Sequence, residues 1–194
     1  VVLVFRNDAL VSKTEVTTAS STLTTTTNTT GTFNIPRPKS GDVIHFLGNL
    51  PESVKKSLPA TGGTQEDVLR GLITDDDENL SYWGTETYTS GDVIDNVTLY
   101  RNMAKIEIAA GDECTFPEDQ LFIVGLFNAN QSGALVPYNG SFNFDLTTND
   151  YFTLPAYVEK ETDGDAQPVT SLYVFEHDNP DAYTEANKDN FFCV

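Results

Sequence analysis

The chain has 194 residues, 39% of them hydrophobic, which is enough for one large core or two modest ones. Its 11 Lys and Arg face 29 Asp and Glu, a formal charge of −18 that repels phosphate backbones and anionic membrane surfaces, so no nucleic-acid partner is expected. No apolar run approaches the ~20 residues of a membrane-spanning helix. The first residue is Val1 with no leader after it, so the numbering is expected to begin inside a processed or engineered product, with any signal sequence outside it.

Val1 to Phe5 (VVLVF) is a β-branched run ended by Arg6, Asn7 and Asp8, the pattern of a strand buried on both faces. Residues 17–32 are almost entirely Thr and Ser, which tolerate extended backbone but offer little to bury, so a loop or an exposed edge strand is expected. GDVIHFLGN (residues 41–49) reads as a second apolar strand between turn formers. Two short helices follow. Asn49 is the expected cap of a turn starting at Pro51, with Leu50, Val54 and Leu58 on one face. Thr64 with Asp67 approximates a capping box ahead of a stripe of Val68, Leu69, Leu72 and Ile73. Helices this short are marginal alone and must pack on a sheet.

From Tyr82 onward, strands alternate with glycine-marked turns. VTLYRNMAKIEI (residues 97–108) changes phase: Val97, Leu99 and Met103 share one parity, Ala104, Ile106 and Ile108 the other, which a bulge near Asn102 would reconcile. LFIVGLFN (residues 121–128) is apolar on both parities and is expected to be a central strand. SFNFDL (residues 141–146) places Phe142, Phe144 and Leu146 inward, and SLYVFEHDNPD (residues 171–181) runs from a strand into an Asx and Pro turn.

Several residues are candidates for chemistry. Asp75, Asp77, Asn79 and Glu86 occupy the first, third, fifth and twelfth places of a calcium loop. Leu80 stands where such a loop wants Gly, however, and a strand-like stretch follows, so a solvated acidic loop competes with a metal site. His45 lies in an apolar strand and His177 in a turn, without metal-ligand spacing. Neither a nucleophile elbow nor a phosphate-binding glycine pattern occurs. No cofactor is expected. Arg101 and Lys105 interrupt an apolar strand and suit either salt bridges at a sheet edge or domain junction, or subunit docking. Tyr82 and Trp83, with Tyr88 and Tyr100, are candidates for an aromatic sugar platform or for core packing. Cys114 and Cys193 either form one disulfide or stay as free buried thiols; they are too few for a disulfide scaffold.

The order of these elements resembles the Bacteroidales fimbrillins, the FimA/Mfa-type major and accessory subunits of type V pili. Three segments carry the likeness: the Gly-Asp-Val strand leading into the residue 50–58 helix, the Leu-x-Arg-x-x-Ala-Lys-Ile core of residues 99–106, and LYVFEHDNP (residues 172–180). LFIVGLFNANQSGALVP (residues 121–137) is similar to the family as well. The resemblance implies an all-β fold of tandem transthyretin-like β-sandwich domains with a few short helices, divided here as 1–110 and 111–194. The second domain is expected to be incomplete, because FFCV (residues 191–194) reads as the opening of a further strand. It also implies export as a lipoprotein precursor to the outer membrane and fimbrium. Polymerisation with other fimbrial subunits would follow by strand exchange, and adhesion to host or bacterial surface glycans or proteins is implied as well. No enzymatic activity is expected. The rival readings are a cell-surface adhesin or carbohydrate-binding β-sandwich protein and, from another class, a secreted glycosidase with two buried acids ~5 to 10 Å apart.

Overall fold

The computed structural model describes residues 1–16, 35–91, 94, 97–109, 121–136, 148–157 and 168–176. They form strands in antiparallel sheets with two short helices, an all-β fold. The chain divides into two compact units: the first holds Val1–Thr74, Asn79–Asn102 and Ala134–Phe144, the second Asp75–Glu78, Met103–Gly133 and Asp145–Val194.

In the first unit, strand β1 (Val2–Arg6) folds back on β2 (Ala9–Thr14) through Asn7 and Asp8, both with positive φ. Two left-handed residues in a two-residue loop match the right-handed twist of the flanking strands, and Asn and Asp tolerate that conformation best after Gly. Strand β3 (Val43–Gly48) pairs with the other side of β1, placing Leu3 opposite His45 and Val4 opposite Ile44. Because side chains alternate, Leu3, Phe5, His45 and Leu47 share one face of the sheet, and Val2, Val4, Ile44 and Phe46 the other. Both faces are filled. Val2, Leu3, Val4 and Phe5 are all buried, which is why β1 reads as an uninterrupted apolar run.

Helices α1 (Glu52–Ser57) and α2 (Gln65–Arg70) cover the first face. Leu50, Val54, Leu58, Val68, Leu69 and Leu72 pack there on Leu3, Phe5, Leu10 and Leu47, joined by Leu135 and Val136. Each fully buried side chain of this kind contributes roughly 1.5–3 kcal/mol through loss of apolar surface. Helix α2 starts as its sequence indicates: Thr64 Oγ1 accepts from the Asp67 backbone N–H at 3.1 Å and donates to Asp67 Oδ2 at 2.8 Å. Helix α1 differs. Pro51 occupies the N-cap without a side-chain bond, while Asn49 takes a left-handed conformation (φ 50°) and sends its amide to the Leu80 carbonyl. At the other end of α1, Lys13 Nζ donates to the carbonyls of Lys55 (2.6 Å) and Leu58 (3.3 Å), satisfying oxygens that the last turn leaves open.

After β4 (Ile73–Thr74), strand β5 (Tyr82–Thr87) pairs with β3, and β6 (Tyr100–Arg101) with β5, giving the sheet order β2-β1-β3-β5-β6. The phase change in residues 97–108 is a break at Asn102, not a bulge within one strand. Residues 100–101 belong to β6, while β7 (Met103–Ala109) pairs with β11 (Pro168–Phe175). A second ladder in the second unit joins β8 (Leu121–Asn130) to β10 (Thr148–Tyr157). β8 was expected to be central, and among the described residues β10 is its one ladder partner. In β9 (Gly133–Ala134), a methyl added at Gly133 would lie 2.1 Å from Cδ1 of Phe175, so only Gly allows this approach. The Thr/Ser segment 17–32 and SFNFDL (residues 141–146) lie outside the described residues.

Candidate functional site

Among the described residues, Asp42 and His45 are the buried titratable side chains, and alternation puts them on opposite faces of the first sheet. Asp42 shares the parity of Ile44. Its carboxylate takes two bonds from Arg6, Nε to Oδ1 at 2.8 Å and Nη2 to Oδ2 at 2.7 Å, and a third from the Lys39 backbone N–H at 2.8 Å. The Arg6 bonds, and after them the Lys39 N–H, hold its pKa below the ordinary 3.8 against the opposing effect of burial. A forked guanidinium on a carboxylate that is 1% exposed anchors the start of β3 against the end of β1. Asp42 is the single buried carboxylate among the described residues. With Arg6 upon it, it has no second acid with which to form a glycosidase pair there.

His45 lies on the helix-covered face. Its Nδ1 accepts from the Trp83 indole N–H at 3.1 Å, and its ring meets Phe5 edge-on, with centroids 5.4 Å apart and planes at 87°. Accepting at Nδ1 assigns the proton to Nε2, which is buried with no hydrogen-bond partner among the described residues. Burial alone lowers the His45 pKa from 6.5 to about 4. The imidazole is therefore neutral at neutral pH, and without a nucleophile or acid beside it the arrangement is one of packing and orientation.

The expected aromatic platform is divided between the two faces. Trp83 packs on the helix-side core with Tyr100 beyond it, their rings 6.3 Å apart and tilted by 36°. Tyr82, one residue earlier on the strand, points to the opposite side, and Tyr88 packs on Val2, Val4 and Ile44 there. Tyr100 and its neighbour Leu99 are 57% and 48% exposed, the large apolar side chains that reach solvent most among the described residues. Gly84 lies under this segment, since a methyl there would come within 2.5 Å of the Thr98 carbonyl.

A polar network fixes the break at Asn102. Asn102 Oδ1 accepts from the Ser81 N–H at 2.8 Å, and the Asn102 N–H donates to the Ser81 carbonyl at 3.1 Å. Ser81 Oγ donates to the Asn49 carbonyl at 2.9 Å. Ser81 is fully buried, so these bonds replace water that the site excludes, joining the end of β3, the start of β5 and the end of β6.

Of the other sequence candidates, Arg101 is exposed on β6 without a charged partner among the described residues, and Lys105 bonds Glu107 two residues along its own strand at 2.6 Å. That bond is the main cause raising the Lys105 pKa. Asp75, Asp77, Asn79 and Glu86 are exposed, and Glu86 sits within β5 opposite Ile44. Among the described residues no three or more His, Cys, Asp or Glu gather as metal ligands would. Cys114, Cys193 and His177 lie outside the described residues. Arg6, Asp42, Ser81 and Asn102 were not foreseen as bonded groups. The polar residues flanking an apolar run read as its ends, and only strand register shows which of them meet. No family model matches the chain, and neither the curated proteins nor the solved structures yield a match.

Proposed function

We propose that this chain is a structural subunit of a bacterial surface fimbria of the Bacteroidales fimbrillin type. Its domains would be transthyretin-like β-sandwiches in tandem, exported to the cell surface as a lipoprotein precursor, and its role mechanical, without enzymatic activity. Its partners are other fimbrial subunits. The observation that carries the reading is the outer edge of β5. Strand β6 pairs only with Tyr82 and Trp83 and residues 97–99 crowd Gly84, so among the described residues Thr85, Glu86 and Thr87 have no strand on the side away from β3. An edge with unpaired N–H and C=O groups accepts an added strand, and main-chain bonds with alternating side-chain pockets make the joint long-lived. A head-to-tail contact of that kind does not close on itself and generates a filament.

Immunogold electron microscopy of the source cells tests this reading. Label along or at the end of thin filaments is the expected result, and label spread over the cell body would sink it. One observation favours a second reading as a glycan-binding adhesin: Tyr100, 57% exposed beside Trp83, offers a ring face to a sugar. Binding on a glycan array that Tyr100→Ala abolishes would favour that reading.

A further inference from the structure

We propose that the first unit carries an acid-sensitive latch: proton uptake at His45 removes the acceptor of the Trp83 indole N–H and loosens the helix-covered face of the sheet. The geometry leaves little alternative for the proton. Nδ1 is the one ring atom with a free lone pair, and it is already used by Trp83 Nε1 at 3.1 Å. Once protonated, Nδ1 becomes a donor, so two N–H groups then face each other at hydrogen-bond distance. Nε2 is buried without a partner among the described residues, and an imidazolium here would hold a charge in a site that is 2% exposed.

Among the described residues no carboxylate is bonded to His45 to receive that charge. From β1 the face presents Leu3 and Phe5; from β5 it presents Trp83 and, opposite His45, Thr85. From β2 it presents Lys13, opposite Leu3, whose ammonium is bound to the C-terminal carbonyls of α1. The Val1 amino group donates to the Leu47 carbonyl at 2.7 Å. The charged groups of the helices pair with each other, Lys55 with Glu52 and Arg70 with Glu66, and Lys56 is exposed on α1. Asp67 is bonded to Thr64, and Asp8 receives the Gln65 N–H. Glu15, two residues beyond Lys13, acts on the Val1 end of the face, and burial is what lowers the His45 pKa from 6.5 to about 4.

The sign follows. Between these two values the unfolded chain binds a proton that the folded unit does not, so stability is complete above pH 6.5 and falls as the pH drops toward 4. The rest of the chain pushes the other way. With a formal charge of −18, mild acidification relieves self-repulsion and should stabilise the compact state.

Urea unfolding of the full chain, followed by the fluorescence of Trp83, the single tryptophan, reads the cost of protonating buried His45 through the proton that the unfolded chain takes up. From about pH 7.5 to about pH 5, His45 is expected to lower the folding constant roughly 30-fold relative to a chain without it. His45→Leu removes the titrating group. His45→Asn also does so while keeping an oxygen acceptor near the Nδ1 position. Both should lose that acid-linked fall. Equal pH dependence in wild type and either folded variant would overturn the proposal. If neither variant folds, imidazole nitrogen-15 spectra of the wild type decide it. A neutral His45 with its proton on Nε2, persisting until Trp83 emission changes, is expected. A protonated His45 under unchanged Trp83 emission would overturn the latch.

Discussion

Strands β1 and β3 and the β5–β6 edge belong to one sheet, yet they hold their apolar side chains in different ways. In β1, four consecutive residues, Val2 to Phe5, are each 2% exposed or less, because helices α1 and α2 cover one face and Val11, Ile35, Phe46, Tyr88 and others the opposite one. At the edge, Trp83 is half-buried while Leu99 and Tyr100 reach solvent. On this sheet an apolar residue is core where a layer covers it, as it does Val2 to Phe5 in the centre and Leu10 on the edge strand β2, and it reaches solvent at β6. The strand position, more than the side chain's hydrophobicity, sets its contribution to stability.

Truncation in the centre should give the largest effect. Leu3→Ala removes a side chain of 0% exposure between β2, β3 and the helix layer and is expected to cost about 3 kcal/mol, read as a fall in the urea midpoint at unchanged slope. Gly133→Ala probes the second unit by overfilling instead of emptying. Its methyl would strike the Phe175 ring, itself 6% exposed and opposite Met103, so a loss of about 2 kcal/mol is expected. Relief by Gly133→Ala/Phe175→Leu, measured by the same unfolding curves, would locate the effect in that contact. Thr64→Ala deletes the cap of α2 and should cost about 1 kcal/mol, with Thr64→Ser retaining most of the stability.

These sites differ in how far the sequence announces them. β1 and β3 were legible because burial on both faces leaves no polar alternation, and α2 because Thr64 and Asp67 are three residues apart, within one turn. The break at Asn102 was legible as a change of parity, though not as an end of one ladder and the start of another. That outcome depends on the bonds between Asn102 and Ser81, 21 residues earlier. Asn49 misled because Asn is a common cap. Here its left-handed backbone and its bond to Leu80 serve the β3–α1 connection, and Pro51, which has no N–H to satisfy, takes the cap position. The Trp83–His45 bond spans 38 positions and arises from register alone, as does the Arg6–Asp42 fork over 36. Pairings of that range have no local signature, and they carry most of the candidate site's chemistry.

The smallest expected effect on stability is at the edge. Tyr100→Ser removes a ring that is 57% exposed and touches the core through Trp83, so the unfolding free energy should change by no more than about 0.5 kcal/mol. A loss comparable to that of Leu3→Ala would mean that the edge is as deeply supported as the centre, and the distinction between them would fail. If the change is small, the exposed Tyr100 ring is free of a folding role. Residues that fold does not require can be altered without unfolding the subunit, so the same Tyr100→Ser chain can be returned to the source cells. Loss of surface filaments with stability intact would then place assembly at this edge. Filaments of normal number with loss of glycan binding would favour the adhesin reading.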